Sequence, residues 1–257
     1  MRTREVRRAV VTGASTGIGE ATVRLLRERG WDVTAVARRV MRLKKLAEQT
    51  GCTYFAADLT DDEQVRALAD YVATLGPVDA VVNDAGGALG VETVADADIE
   101  HWTQMYDRNV ITALQVTQAF LPTMRQRGGD LVFVTSTAAH DTYPGGAGYV
   151  AAKHAERIIP NTLRQELVGE PVRIIEIAPG MVHTPEFSLN RLGSREAAEK
   201  VYEGVAEPLV AEDIADAIVW TLTRPRHVNI DSMTIRPLAQ ATNTLVARAP
   251  EQDPESH

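Results

Sequence analysis

The chain has 257 residues, 44% of them hydrophobic and 24% charged, a composition typical of a globular domain with a sizeable core. Its formal net charge of −8 argues against nucleic acid as the main partner, and its apolar runs are too short to span a bilayer. The single cysteine, Cys52, excludes an intramolecular disulfide and indicates a reducing compartment. We therefore expect a cytoplasmic protein with neither nucleic-acid nor membrane partners.

Short apolar runs alternate with longer amphipathic segments along the chain. We predict strands at residues 8–12, 32–37, 52–57, 78–83, 130–135, 171–177 and 229–235. We predict helices at residues 17–30, 40–50, 61–75, 99–126, 148–168 and 211–223. Apolar strands that alternate with helices indicate an α/β fold, in which helices cover both faces of a parallel sheet. No linker divides the chain, so residues 1–257 are expected to form a single domain.

Two segments depart from this alternation. Residues 184–208 are polar and follow a late strand, which makes them either an active-site lid or a solvated pair of surface helices. We favour a substrate lid, because doubly wound sheets bind ligands at that edge. Residues 245–257 are rich in polar residues and proline, and we expect a frayed tail there.

A glycine-rich turn, TGASTGIG at residues 12–19, follows the first predicted strand and precedes the first predicted helix. The lack of side chains at Gly13, Gly17 and Gly19 would let backbone N–H groups approach a pyrophosphate. The positive end of the helix that starts near Ile18 would face the same phosphates. In this context we interpret the turn as a nucleotide-binding site rather than a purely structural turn.

The second predicted strand is followed by Arg38 and Arg39, where a cofactor without a 2′-phosphate would require an acidic residue. Guanidinium groups bind phosphate oxygens in bidentate geometry. We therefore predict NADP(H), with Arg38 as the first candidate for the 2′-phosphate contact and Arg39 as the second. Alternatively, both arginines simply begin a basic helix that continues through residues 42–45.

Two further turns follow predicted strands. Asp58 is placed to accept a hydrogen bond from the adenine amino group, or else belongs to the N-cap region of the next helix. Residues 83–86, NDAG, end the fourth strand, and their backbone is placed to contact the cofactor ribose.

Tyr149 and Lys153 are four positions apart in a predicted helix, so their side chains share one face. A tyrosine with its ordinary pKa near 10 is a poor base at neutral pH, but a nearby ammonium group favours the phenolate. The pair is suited to exchanging the hydroxyl proton in a carbonyl–alcohol interconversion, and Lys153 can also hold the nicotinamide ribose. Ser136, at the end of a strand, is placed to hydrogen-bond the substrate oxygen. The alternative is a surface tyrosine that packs on its helix.

Other polar residues carry weaker signals. Asn109 lies inside the long helix predicted at residues 99–126, where it is either solvated or bonded to a buried group. His140 and His183 lie in loops near the predicted pocket, and solvent exposure is the simpler interpretation of both. The six histidines show no metal-binding spacing, so no metal site is predicted.

Together these residues resemble the short-chain dehydrogenase/reductase family over roughly residues 6–237. The resemblance rests on the following motifs: TGASTGIG at 12–19, NDAG at 83–86, Asn109, Ser136, Tyr149-x-x-x-Lys153 and Pro179-Gly180. It implies a single Rossmann-type domain and a catalytic tetrad of Asn109, Ser136, Tyr149 and Lys153, in which Asn109 holds a water that relays protons from Lys153. It also implies a homotetramer or homodimer built from the helices at residues 99–126 and 148–168.

The predicted cofactor contacts combine these motifs with their neighbours. They are Gly13, Ser15, Thr16, Gly17, Ile18, Gly19, Arg38, Arg39, Asp58, Leu59, Asn83, Ala85, Gly86, Tyr149, Lys153, Pro179, Gly180 and Val182.

Three stretches, residues 37–39, 85–91 and 202–237, are similar to NADP-dependent dehydrogenases of serine and other 3-hydroxy acids. Two features depart from that pattern: Asp84 replaces the second asparagine of the usual NNAG motif, and the loop at residues 139–143 is more polar than expected. A substrate carboxylate would need an arginine. Arg191 in the insertion is the candidate, unless it is a surface charge of the lid.

We therefore predict an NADP(H)-dependent oxidoreductase that interconverts a hydroxyl and a carbonyl group, on a small 3-hydroxy acid such as serine or 3-hydroxypropionate/malonic semialdehyde. One alternative is a reductase of a specialised biosynthetic aldehyde or ketone. Another is a catalytically silent NADPH-binding sensor, for which Asp84 is the only hint. A reductase of carrier-protein-bound 3-oxoacyl groups would need a basic docking patch, which the acidic composition does not favour.

Overall fold

A seven-stranded parallel sheet forms the centre of the protein, for which a computed structural model describes residues 6–249. The strands are β1 (Arg8–Val11), β2 (Asp32–Ala37), β3 (Thr53–Ala56), β4 (Ala80–Asn83), β5 (Gly129–Val134), β6 (Val172–Pro179), β7 (Val182–His183), β8 (Leu209–Val210) and β9 (Ser232–Ile235). Their order in the large sheet is β3-β2-β1-β4-β5-β6-β9, and β7 pairs with β8 separately. The order reverses between β1 and β4, which creates a crevice at the carboxyl ends of the strands.

Helices cover both faces of this sheet. They are α1 (Gly17–Glu28), α2 (Val40–Thr50), α3 (Asp62–Leu75), α4 (Ile99–Tyr106), α5 (Thr112–Arg127), α6 (Ala147–Glu166), α7 (Phe187–Leu192), α8 (Arg195–Lys200) and α9 (Ala211–Leu222). One apolar core joins the sheet to α1, α2 and α9, and a second joins it to α3, α5 and α6. None of the helices in the described part of the chain is long and apolar enough to cross a membrane. The predicted Rossmann-type architecture is confirmed, and all seven predicted strands occur in it.

The long helix predicted at residues 99–126 is interrupted in its middle. A π-helical turn, Asp107–Ile111, separates α4 from α5, and the Thr112 N–H donates to the carbonyl oxygen of Asp107, five residues earlier. The cause is local, because the Asn109 side-chain amide donates to the carbonyl oxygen of Met105 at 2.7 Å and competes with the regular helical bond.

The insertion at residues 184–208 begins after β7 and ends before β8, so the β7–β8 pair closes its base. Beyond β9, the described part of the predicted frayed tail is anchored instead. The Ala247 N–H donates to the carbonyl oxygen of Ala239 at 2.8 Å, and the Ala249 N–H donates to that of Gly204 at 2.7 Å. Within the predicted tail, Ala247 and Ala249 are therefore hydrogen-bonded to other segments of the chain. Residues 1–5 and 250–257 lie outside the described residues.

Candidate active site

A cavity of about 640 Å³ opens at the carboxyl ends of the strands, where the strand order reverses between β1 and β4. Its volume lies within the range typical of small-molecule and cofactor sites. Most predicted site residues line it. Those on the wall are Gly13, Ser15, Thr16, Gly17, Ile18, Arg38, Arg39, Asp58, Leu59, Ala85, Gly86, Ser136, Tyr149, Lys153, Pro179, Gly180 and Val182. Gly19, Asn83 and Asn109 lie behind the wall.

The glycine-rich turn folds so tightly that no side chain would fit at Gly13 or Gly19. Gly13 and Gly17 adopt left-handed backbone angles, with φ of +66° and +57°. A Cβ added at Gly19 would lie 2.7 Å from the carbonyl oxygen of Gly13 and 2.8 Å from Oδ2 of Asp84. Gly19 therefore serves the packing of α1 against the turn, while α1 begins at the cavity wall with Gly17. The free N–H groups and the positive end of α1 make this wall suited to phosphate.

The two arginines after β2 differ in their surroundings. The Arg38 side chain is 63% exposed, and its guanidinium lies 4.0 Å from the Asp58 carboxylate. The Arg39 guanidinium instead donates to the Ser15 hydroxyl at 2.7 and 3.0 Å and pairs with Glu186 at 2.5 Å. Arg42 pairs with the same carboxylate. Burial raises the pKa of Glu186, but Arg39 and Arg42 outweigh it and hold the pKa below its ordinary value.

Asp58 is not the N-cap of the following helix. The N-cap is Asp61, whose side chain accepts hydrogen bonds from the backbone N–H groups of Glu63 and Gln64. The Asp58 carboxylate accepts from the backbone and hydroxyl of Thr60, at 3.1 and 2.8 Å. Burial raises the pKa of Asp58, but the bonds from Thr60 and the charge of Arg38 outweigh burial and hold the pKa below its ordinary value. The carboxylate therefore stays ionised at the cavity wall.

Tyr149 and Lys153 stand one turn apart on α6, and both are buried at the cavity. The Lys153 ammonium donates to the carbonyl oxygen of Val134 at 3.1 Å and to Oε2 of Glu156 at 2.6 Å. Burial raises the pKa of Tyr149 above its ordinary value, while Lys153 and the Ser136 hydroxyl lower it. Lys153 therefore lowers the pKa of Tyr149 as predicted, but without a bound cofactor the effect of burial is larger and the net pKa is raised. Burial also lowers the pKa of Lys153, yet the neighbouring anionic groups outweigh this and keep the ammonium charged.

Ser136 follows β5 and lies at the cavity wall near Tyr149. Its hydroxyl accepts a hydrogen bond from the Ala138 N–H at 3.1 Å, which caps the short 3₁₀ turn at Thr137–Ala139. Because the hydroxyl hydrogen is not used by that bond, Ser136 keeps a donor for another oxygen.

Asn109 is fully buried in the π-helical turn, which resolves the choice between solvation and a buried partner. Its amide donates to the carbonyl oxygen of Gly87 at 2.9 Å, and its Oδ1 accepts from the Gly87 N–H at 3.1 Å. A Cβ at Gly86 would lie 2.5 Å from that Oδ1 and 3.5 Å from Nζ of Lys153. Asn109 therefore fixes the backbone at Gly86–Gly87, which lies between its side chain and Lys153.

The loop after β4 contains an acid where the family resemblance leads us to expect an amide. The Asp84 carboxylate accepts a hydrogen bond from the Gly19 N–H, and burial raises its pKa to about 8 against the opposing effects of Lys153 and that bond. Asn83 is buried, and neither polar atom of its side chain has a hydrogen-bond partner within residues 6–249.

The insertion divides into two parts with different surroundings. The Phe187 ring of α7 lies 5.6 Å from the Tyr149 ring at an angle of 65°, an edge-to-face contact. Arg191, also on α7, donates to Oη of Tyr143 and to the carbonyl oxygens of Gly90 and Gly145, at 3.0–3.2 Å. In contrast, α8 has no buried residue. Thus residues of α7 line the cavity, whereas every residue of α8 is exposed or half-buried.

Several residues around the cavity were not predicted from the sequence. They are Glu156, Glu176, Glu186, Phe187, Tyr202, Gln240 and Asn243. Glu156 carried a usable signal, since it lies three residues after Lys153 and shares its helix face. Gln240 and Asn243 carried none, because they belong to an irregular segment after the last strand.

The two loop histidines are not part of the cavity wall. His140 lies 3.3 Å from a Glu176 carboxylate oxygen, and His183 packs against Tyr202 with ring centroids 4.4 Å apart. Between residues 6 and 249, no cluster of three or more His, Cys, Asp or Glu side chains is arranged to hold a metal ion.

Comparisons with known proteins agree with this geometry. A family model described as short chain dehydrogenase matches residues 7–192. An uncharacterized oxidoreductase of Mycobacterium tuberculosis is 54% identical over 244 residues, covering 94% of this chain and 95% of the relative. A serine 3-dehydrogenase of Rhizobium radiobacter is 38% identical over 236 residues, covering 90% and 94% of the two chains.

Among solved structures, the closed form of a serine dehydrogenase complexed with NADP+ superposes with a TM-score of 0.89 at 34% identity. It covers 95% of this chain and 100% of the compared chain. On the family match and on these relatives, the chain belongs to the short-chain dehydrogenase family.

Proposed function

We propose that the protein is an NADP(H)-dependent oxidoreductase that interconverts a hydroxyl and a carbonyl group on a small 3-hydroxy acid. Serine and the pair 3-hydroxypropionate/malonic semialdehyde are the candidate substrates. One observation carries the proposal: a single cavity joins a phosphate-binding glycine turn to the buried Tyr149 and Lys153. Serine, the substrate named for two of the similar proteins, is itself a 3-hydroxy acid.

The residues of the cavity fit a dinucleotide with a 2′-phosphate. The turn at Gly13–Ile18 would hold the pyrophosphate, because it lines the cavity at the positive N-terminal end of α1. Arg38 would bind the 2′-phosphate and Arg39 would support it, with Asp58 and Leu59 beside the adenine. When bound, the nicotinamide supplies or accepts the hydride.

The chain's own residues handle the proton. In alcohol oxidation the Tyr149 phenolate oxygen takes the hydroxyl proton, and in carbonyl reduction the phenol O–H returns it. Ser136 orients the substrate oxygen through the donor that its capping bond leaves free. Lys153 lowers the pKa of Tyr149 by its charge, and two of its three N–H donors already bond Val134 and Glu156, which leaves one for a ribose hydroxyl.

Asn109 would act from behind the wall. Because its side chain bonds both backbone groups of Gly87, it fixes the loop between itself and Lys153. Its role in holding a proton-relaying water stays a prediction. The contact of Phe187 with Tyr149 supports a lid function for α7, which would exclude water from the reacting atoms.

Arg191 supports an acidic substrate. Within residues 6–249 it has no carboxylate within ion-pair distance, whereas Arg39 at the same cavity is paired with Glu186. Three of its five N–H donors bond Gly90, Tyr143 and Gly145, which orients the guanidinium and leaves two donors for a substrate carboxylate.

A homo-oligomer remains part of the proposal. Apolar side chains are exposed on the helices that the family resemblance assigns to subunit contacts, namely Ile99, Leu114 and Ile158. A dimer or tetramer that covers them would remove this surface from water.

Initial rates with NADP+ and NAD+ test the proposed function against a panel of L-serine, 3-hydroxypropionate, 3-hydroxyisobutyrate and simple secondary alcohols. We expect turnover of one or more 3-hydroxy acids with a preference for NADP+. Turnover restricted to neutral alcohols or carbonyls would assign the enzyme to a specialised aldehyde or ketone. NADPH binding without turnover on any carbonyl or alcohol would indicate a sensor.

A further inference from the structure

A buried acid adjoins the lysine of the proposed active site. Glu156 lies three residues after Lys153 on α6, and its Oε2 is 2.6 Å from Nζ. The two side chains are only 1% and 5% exposed. Burying an ion pair this deeply carries a desolvation penalty that an apolar pair would avoid. The proposed hydride and proton transfers make no use of this carboxylate, so its presence needs a separate explanation.

A second buried acid faces the pair from the sheet. Glu176 of β6 is fully buried, and its Oε1 accepts a hydrogen bond from the Thr135 hydroxyl at 2.8 Å. His140 and Arg157 approach the same oxygen at 3.3 and 3.6 Å, while Oε2 has no hydrogen-bond partner among the described residues. Besides the two acids themselves, the ionisable groups around them are Lys153, Tyr149, Arg157 and Arg164 on α6, Asp84 after β4 and His140 after the 3₁₀ turn.

The charge of Glu156 bears directly on the phenol. Lys153 lowers the pKa of Tyr149, and Glu156 raises it, because the carboxylate offsets the ammonium charge within one turn of the same helix. Burial raises the pKa of Glu156 to about 7, against the opposing effect of Lys153. The carboxylate therefore changes its charge within the neutral pH range.

We propose that Glu156 is a positioning residue, the counter-ion that fixes the Lys153 ammonium at 2.6 Å and offsets part of the positive charge by which Lys153 favours the Tyr149 phenolate. This inference rests on the proposed role of Tyr149 as the proton-exchanging group. Above about pH 7, where Glu156 is ionised, the phenol is held as a proton donor, which favours carbonyl reduction. Alcohol oxidation, which needs the Tyr149 phenolate, then begins at a higher pH than it would if the Lys153 ammonium had no counter-ion.

NMR of the protein labelled with [¹³Cζ]tyrosine tests the inference without any substrate. The Tyr149 resonance is assigned by its absence in Tyr149→Phe. In the wild type we expect it to shift with an inflection near pH 7, as Glu156 ionises. The inflection should disappear in Glu156→Gln and persist in Glu166→Gln, a matched control that removes an exposed acid from the same helix. It should also persist in His140→Asn, which excludes histidine titration as its source.

The pH profile of kcat for alcohol oxidation gives a second measurement. We expect its acidic limb to move down by about one pH unit in Glu156→Gln, because the ammonium charge is no longer offset. If Glu156→Gln fails to fold, Glu156→Asp should keep the NMR inflection, since it keeps the charge. An inflection that survives in Glu156→Gln, a wild type with none, or an unmoved kcat profile would overturn the inference. Since the NMR titration needs no turnover, failure of the proposed function alone would leave its result intact.

Discussion

Replacing Arg38 with alanine isolates the proposed contact with the 2′-phosphate. Arg38 is mostly exposed, and its nearest carboxylate, that of Asp58, lies 4.0 Å away. A surface pair of this kind contributes at most about 1 kcal/mol to folding, so Arg38→Ala should leave the protein folded. A hydrogen bond to a charged group contributes about 1.5–3 kcal/mol, and the exposure of Arg38 places it in the lower half of that range. A loss of about 2 kcal/mol corresponds to a roughly 30-fold increase in the Kd for NADPH.

Fluorescence titration of NADPH and NADH with wild type and Arg38→Ala measures this effect. The Kd for NADH should change by less than about threefold, because NADH lacks the phosphate that the guanidinium binds. Arg66→Ala is a matched control: Arg66 is 68% exposed, has an aspartate partner in Asp62, and lies outside the cavity. Equal losses of NADPH and NADH affinity in Arg38→Ala would refute the 2′-phosphate role and would leave Arg39 as its candidate.

Two further substitutions test the substrate and cofactor walls. Arg191→Leu should raise KM for a 3-hydroxy acid roughly 10- to 100-fold, because the charge-assisted contact with the substrate carboxylate is lost. KM for the neutral analogue 1,3-propanediol should change little. Equal changes for both substrates would mean that Arg191 only holds α7 in place. Gly19→Ala should lower the free energy of unfolding by about 1–3 kcal/mol and weaken NADPH binding, since its Cβ would meet Gly13 at 2.7 Å. Gly30→Ala, strained by its φ of +79° but with open space around it, should lose stability and keep NADPH affinity, as thermal unfolding and titration would show.

The sheet could be predicted from the sequence because its signals are local. β1 and β4 each contain a three-residue apolar run, and each is followed by turn residues that end the strand at the same edge. Sequence reasoning could also identify the Tyr149–Lys153 pair and the turn at residues 12–19. Each of these motifs lies within a short stretch of the chain, at or inside a single helix.

The remaining features depend on contacts between distant segments. The contact of Phe187 with Tyr149 joins the insertion to α6, and the pairing of Glu186 with Arg39 joins it to the turn between β2 and α2. No periodicity in these segments specifies either contact. The π-helical turn was missed because Asn109 breaks the helical pattern with a side-chain bond rather than with a proline or glycine.

The approach of Glu176 to Glu156 and Lys153 could not be predicted from the sequence either. Glu156 lies on α6 and Glu176 on β6. Only the pairing of β6 with β5 in the folded sheet brings Glu176 close to Glu156.

The proton-transfer role of Tyr149 is the central claim, and Tyr149→Phe tests it most directly. The change removes one hydroxyl and keeps the ring that packs against Phe187. With a substrate identified by the panel above, kcat should fall by roughly 10²–10⁴-fold, the usual contribution of a positioned acid or base. The Kd for NADPH should stay within about threefold of the wild-type value. Wild-type turnover by Tyr149→Phe would contradict the proposed mechanism.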